Sequence, residues 1–147
     1  MLLGLYFDKE DNVILNPKLL DPAGFYRTSK RYMKLEHGWS ESELAESIMK
    51  GLAISEENNL EDANGEKFWI EATGIKGFAA FSKKYRYVAI ECSKEKGCYF
   101  IHSFKRYKDG SYGMDEDELE THRKWYSGVP KKETIVGQVM EALKMTS

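Results

Sequence analysis

The feature that most constrains this chain is a pattern that occurs twice. Leu3, Leu5 and Phe7 alternate with other residues, the period of a strand with one buried face. Five residues, Asp8 to Asn12, lead to a second apolar run, Val13, Ile14 and Leu15. An offset of 85 residues brings Val88, Ile90 and Cys92 into the same alternation, with Ser93 to Gly97 as spacer and Cys98, Tyr99 and Phe100 as second run. Each segment reads as a β-hairpin with a polar turn. A helix follows each hairpin. Ser40 and Glu43 have the capping-box spacing, in which each side chain bonds the other's backbone N–H. Leu44, Ala45, Ile48, Met49 and Leu52 then share one helical face, and Ile135, Val136, Val139, Met140 and Leu143 repeat that spacing 91 residues later.

A chain built this way is expected to be one α+β domain, residues 1–147, with halves of about 1–54 and 77–147. The halves would share antiparallel sheet structure about a pseudo-two-fold axis. The two main helices are expected at Ser40 to Leu52 and Lys132 to Leu143, with Pro130 just ahead of the second. Leu44, Ile48, Leu52, Ile135, Val139 and Leu143 should be buried. Ser55 to Glu66 reads as an acidic linker with a turn at Asn64-Gly65. Lys67 to Thr73 reads as a short helix closed by Gly74, with a strand through Phe68, Trp69 and Ile70 as the other reading. Phe78 to Tyr87 reads as one or two strands, and Asp109-Gly110 as a turn.

Composition narrows the function classes. Apolar types at 41% support a core, and aromatics at 13% exclude a disordered chain. The net charge of −2 gives no global bias toward nucleic acid or membrane. No apolar run approaches the ~18 residues of a membrane span. Met1 to Asp8 lacks a basic leader and is expected to be the first strand rather than a signal peptide, which places the chain in the cytoplasm. In that reducing compartment Cys92 and Cys98 are expected as buried thiols.

No catalytic motif stands out: there is no Gly-rich phosphate loop, nucleophile elbow or zinc-protease pair. Cys98 and His102 stand four residues apart on one strand, roughly 13 Å, too far to share one zinc. Cys92 would face Cys98 across the hairpin, and two thiolates do not close a metal site. Packed thiols and a surface histidine are the expectation, with no catalytic residue, metal or cofactor. An enzyme using Cys92 or His102 ranks last. Two charged features could carry binding. Five carboxylates fall within Asp115 to Glu120, and the linker adds Glu56, Glu57, Glu61 and Asp62. Such patches suit a basic partner, or simply a solvated surface. Lys83-Lys84-Tyr85-Arg86-Tyr87 and Phe104 to Lys108 interleave charge with rings. Single-stranded nucleic acid is held this way, but an ordinary half-buried strand alternates identically and is the preferred reading.

The order of elements resembles the immunity proteins of bacterial contact-dependent growth inhibition systems. The resemblance rests on the Leu3-Gly4-Leu5 hairpin, Pro17, Gly24-Phe25-Tyr26, the helix through Ser42-Glu43-Leu44-Ala45-Glu46-Ser47-Ile48, the segment Ala72 to Phe81, and the second hairpin with its terminal helix. It spans nearly the whole chain through patterns of apolar and glycine positions. It implies a cytoplasmic, non-catalytic protein that binds the toxic C-terminal domain of a cognate toxin, often a nuclease, and blocks its active site. Nucleases that grip a phosphate backbone have basic clefts. Charge clustering therefore makes Glu56, Glu57, Glu61, Asp62, Asp115, Glu116, Asp117 and Glu118 the candidate toxin contacts. The alternative, from the repeated sheet-plus-helix plan, is a single-stranded nucleic-acid binder resembling Whirly domains. The absence of a specific stacking motif weighs against it.

Overall fold

The computed structural model describes residues 1–146. The chain runs β1 (Leu2–Phe7), β2 (Val13–Leu20), β3 (Tyr26–Thr28), β4 (Met33–Leu35), α1 (Glu41–Glu57), α2 (Phe68–Thr73) and α3 (Phe78–Lys84). It continues through β5 (Arg86–Ser93), β6 (Cys98–Ser103), β7 (Lys105–Arg106), β8 (Tyr112–Gly113), α4 (Leu119–His122), β9 (Arg123–Ser127) and α5 (Ile135–Leu143). The main sheet is antiparallel in the order β3-β2-β1-β5-β6-β9, with β4 also on β2, and β7–β8 form a separate ribbon.

The two hairpins meet at the centre, where β1 pairs with β5. Gly4 faces Ala89, its counterpart at an offset of 85, so the pseudo-two-fold passes between them. The echo is not uniform, however. Leu5 pairs with Leu15, whereas Ile90 pairs with Ile101, so the second strands correspond at 86 rather than 85. The cause is the turn. Phe7 pairs with Val13 across five residues, but Ser93 pairs with Cys98 across four. A one-residue change of register exchanges the faces of a strand, so Tyr99 and Ile101, not Cys98 and Phe100, point into the core.

α1 and α5 cover one face of the sheet. Leu44, Ile48, Leu52, Ile135, Val139 and Leu143 are all buried, packed on Leu3, Leu5, Phe7, Val88 and Ile90. Burying each such side chain stabilises the fold by about 1.5–3 kcal/mol. The capping box at Ser40 forms as the sequence implies, with Glu43 N–H donating to Ser40 Oγ at 3.1 Å and Ser40 N–H to Glu43 Oε1 at 3.0 Å. At the other end α1 runs to Glu57, five residues beyond Leu52, so Glu56 and Glu57 belong to its last turn rather than to a linker. Asn58 stops it in the left-handed conformation (φ 53°). Its side chain then donates to Leu20 C=O and accepts from Leu20 N–H, extending the sheet's bonding at β2. α5 begins at Ile135, and residues 132–134 form a turn into it.

The opposite face is only partly covered. α2 is closed by Gly74 (φ 78°), as expected. Phe78 to Lys84 is a helix, α3, and not strand. Phe78, Phe81 and Tyr85 follow helical spacing, and their rings pack together at 5.9 and 4.6 Å. With Phe68, Ile14, Tyr6, Tyr87 and Tyr112 they form a second, aromatic core beneath α2 and α3. Within it lies Lys18, 7% exposed, its Nζ donating to Tyr6 Oη at 3.2 Å. Lys18 Nζ sits 5.6 to 5.9 Å from the ring centres of Tyr6, Phe68 and Tyr87. Burial pushes this amine down from 10.5 to about 7.

Candidate functional site

The structure separates the acidic candidates into two groups at different edges of the sheet. Glu56 and Glu57 end α1, and Glu61 and Asp62 lie in a short 3-10 turn, Leu60–Asp62, that follows it. This group packs beside β2–β3: Lys30 N–H donates to Asp62 C=O, and Gly65 N–H to Thr28 C=O. Gly65 approaches so closely that a Cβ there would lie 2.2 Å from Ser29 O. Glu116–Glu118 form a second 3-10 turn, preceded by extended Asp115 and leading into α4, beside β6–β9.

Most of this negative charge is already paired. Asp62 faces Lys30 at 3.9 Å and Arg31 at 3.7 Å, and its side chain is only 15% exposed. Glu57 lies 3.9 Å from Arg31, and Glu56 bonds Lys94. In the second group Lys105 bonds Asp115 and lies 3.6 Å from Glu118. Tyr107 Oη also donates to Asp115 at 2.9 Å. The Lys105 and Tyr107 hydrogen bonds hold the Asp115 carboxyl below its ordinary range. Carboxylate oxygens of Asp115, Asp117 and Glu118 converge within 4.8 Å, a spacing that could hold a cation. The Lys105 ammonium already supplies countercharge to two of them. Glu61, Glu116 and Asp117 make no ion pair among the described residues.

The cysteines and histidines are arranged differently from the expectation. Cys92 pairs with Tyr99 and Cys98 with Ser93, so the thiols are not directly opposed. Both are free and buried, and burial pushes the Cys92 thiol up to about 11. His102 is not a surface residue: it is 7% exposed, with Nε2 3.0 Å from Glu91 Oε1. That hydrogen bond holds the Glu91 carboxyl below its ordinary range. A hydroxyl–imidazole–carboxylate chain also exists. Ser103 Oγ lies 3.2 Å from His122 Nδ1, and His122 Nε2 lies 3.3 Å from Glu118 Oε2. Ser103 is 2% exposed, so the hydroxyl is sealed from substrate and the chain serves to tie α4 to β6.

Sequence reasoning missed the open half of the second sheet face. One row across it runs Leu2, Glu91, Phe100, Trp125. Trp125 is 59% exposed, and Arg123 lies over Phe100 at 4.8 Å. The signal available was Trp125-Tyr126 ahead of Gly128, a short β-favouring run stopped by a positive-φ glycine. The basic, ring-interleaved stretch was also misplaced. Lys83 and Lys84 end α3, and only from Arg86 does the chain become strand.

No family model matches the sequence, and no curated protein matches it. Solved structures do match. One is a protein of unknown function from Neisseria meningitidis, at TM-score 0.69 and 14% identity, covering 99% of this chain and 94% of that one. Another is a chain of the CdiA-CT/CdiI toxin and immunity complex from Yersinia pseudotuberculosis, at TM-score 0.68 and 13% identity, covering 99% and 97%. This chain shares their fold. The α+β architecture read from the doubled hairpin-and-helix pattern is therefore one that occurs in a toxin–immunity complex. Among the described residues no helix is long and apolar enough to cross a membrane.

Proposed function

We propose that this chain is the cytoplasmic immunity protein of a contact-dependent growth inhibition system, and that it neutralises the C-terminal domain of its cognate toxin by binding it. The observation that carries the reading is the likeness of fold, end to end, to a chain of a toxin–immunity complex. The reading needs no catalysis from this chain, and the buried state of Ser103, Cys92 and His102 is compatible with that.

The toxin domain in this reading is a nuclease with a basic cleft, and acidic residues here take the place of phosphates. The contacts we assign are Glu56, Glu57, Glu61 and Asp62 on one side, and Asp115, Glu116, Asp117 and Glu118 on the other. The groups flank different edges of the sheet, so a compact cleft would engage one of them at a time. Glu61, Glu116 and Asp117 are the strongest members, because no internal cation must be given up when they meet a basic partner.

The test is co-purification with the product of the reading frame directly upstream, followed by kinetics on amide variants of each group. A stoichiometric complex is expected. Neutralising the engaged group should lower the association rate, with a steep dependence on salt, because rim charges act mainly on encounter. If no complex forms, the immunity reading fails. If both groups are silent while the complex persists, the acidic assignment fails.

A further inference from the structure

One recess among the described residues gathers positive charge alone. A recess of about 520 Å³ is lined by Lys9, Lys83, Lys84, Arg86 and Arg106, with Ser82 and Tyr85 between them. Five cations and no carboxylate line it, and none of the five makes an ion pair among the described residues. A neighbouring recess of about 610 Å³ shares Lys9, Lys83 and Lys84 and adds Asp8 and Glu10. The Asp8 carboxylate is engaged, accepting from Glu10 N–H, Asn12 N–H and Asn12 Nδ2 at 2.8 to 2.9 Å. Asp8 keeps its charge, and Glu10 makes no ion pair among the described residues, so this rim is mixed where the first recess is wholly cationic.

A structural explanation covers part of this cluster. Lys83 and Lys84 lie in the last turn of α3, where cations complement the helix dipole. It does not cover the rest, because Lys9 comes from the β1–β2 turn, Arg86 from β5 and Arg106 from β7. Nor is the recess merely a gathering of loose side chains. Arg106 Nε donates to Ser82 Oγ at 2.9 Å, and one terminal nitrogen to Ala79 C=O at 3.0 Å. Among the described residues the other terminal nitrogen makes no such bond. The ribbon carrying Arg106 is pressed against α3 at Gly110, where a Cβ would lie 2.8 Å from Ala79 Cα. Like charges are thus held together by the fold itself.

We propose that this recess binds a compact phosphate-bearing anion with two or more phosphate groups. The density of charge selects the ligand class. An acidic peptide spreads its carboxylates along roughly 3.3 Å of chain per residue, whereas linked phosphates concentrate several charges in one small volume. A guanidinium held by two bonds keeps a free N–H edge in the geometry that phosphate oxygens accept. The ligand could be a free polyphosphate or the backbone of a nucleic acid, and both present the same chemistry to these five side chains. The site lies on residues separate from the assigned toxin contacts and does not depend on the immunity reading.

The test is calorimetric titration of the full chain, without any partner, with inorganic tripolyphosphate and separately with a single-stranded oligonucleotide. Saturable binding of tripolyphosphate is expected. R86Q/R106Q should weaken it by about tenfold or more, as two charge-assisted contacts are lost. K83Q/K84Q, at exposed positions that leave the packing alone, should weaken it too, which keeps the test decisive if the first variant folds poorly by circular dichroism. K131Q/K132Q, exposed cations elsewhere, should change it less than twofold. Oligonucleotide binding that tripolyphosphate displaces would assign the site to a nucleic-acid backbone, and absence of oligonucleotide binding would assign it to a free polyphosphate. The proposal is overturned if tripolyphosphate gives no saturable heat at millimolar concentration, or if the Lys131 and Lys132 control loses binding as much as the recess variants.

Discussion

Replacing Lys18 with Met should stabilise this protein at neutral pH, and the gain should shrink as pH rises. The amine is buried on aromatic rings with Tyr6 Oη as its hydrogen-bond partner, and burial lowers it from 10.5 to about 7. The sign follows from linkage. A lowered folded-state value means that the unfolded chain binds the proton more tightly, so protonation favours unfolding. Above 10.5 both states are neutral and Lys18 costs nothing through this route. As pH falls toward 7 the cost grows by 1.36 kcal/mol per pH unit, and below 7 it levels off. The cost is about 4 kcal/mol at pH 7 and about 3 kcal/mol at pH 8.5. Met keeps the aliphatic packing and removes the titration, at the loss of a hydrogen bond worth about 1 kcal/mol. Urea unfolding at the two pH values should show Lys18→Met more stable than wild type by about 3 kcal/mol at pH 7. The gap should narrow by roughly 1–2 kcal/mol at pH 8.5. Using the difference between the two proteins cancels the other titrating groups. A constant difference across this range, or a variant less stable at pH 7, would refute the account of a neutral buried amine.

Ile48→Ala should cost about 2–5 kcal/mol in the same unfolding assay, because Ile48 is fully buried between α1 and the sheet and truncation leaves a cavity. Cys92 should resist iodoacetamide at pH 8 in the folded protein and react on unfolding, since its thiol is held up to about 11 and thiolate is the reactive form. Cys92→Ala with Cys98→Ala should leave partner binding intact apart from lost packing. Loss of binding in a folded double variant would assign the thiols a role.

The parts of the fold legible in the sequence are those specified locally. Ser40 and Glu43 cap α1 with two bonds three residues apart, and Gly74 closes α2 by its own φ. The stripes of α1 and α5 repeat often enough to define a period. α3 has seven residues, too few to define a period, and the aromatic run from Phe78 to Tyr87 has the composition that strands favour. β9 has no alternation of burial to read, because four of its five residues are exposed at the sheet edge. Register came from turn length, which composition does not reveal: four residues rather than five after β5 decided that Tyr99 faces the core. The site was less legible for a related reason. Lys105 pairs with Asp115, ten residues away, and Arg31 with Asp62, thirty-one away, so an acidic run in the sequence is not a negative surface in the fold.

That distinction changes what substitutions at the acidic groups would measure. Asp62 is largely covered, faces Lys30 and Arg31, and belongs to the turn whose backbone holds Lys30. Removing its charge leaves Lys30 without a carboxylate and Arg31 with Glu57 alone, so Asp62→Asn acts first on the stability of the β3 edge, whether or not a toxin is present. Glu116 and Asp117 have no ion pair among the described residues, and amide substitution there changes the field seen by a partner while leaving the fold's own pairs intact. The same reasoning applied to the cations singles out Lys9, Lys83, Lys84, Arg86 and Arg106, whose mutual repulsion no carboxylate in the recess offsets. Internal pairing therefore sorts the charged residues better than their density along the chain. The groups left unpaired by folding are those whose energetics a bound partner or ligand can alter most, because engaging them costs only their hydration.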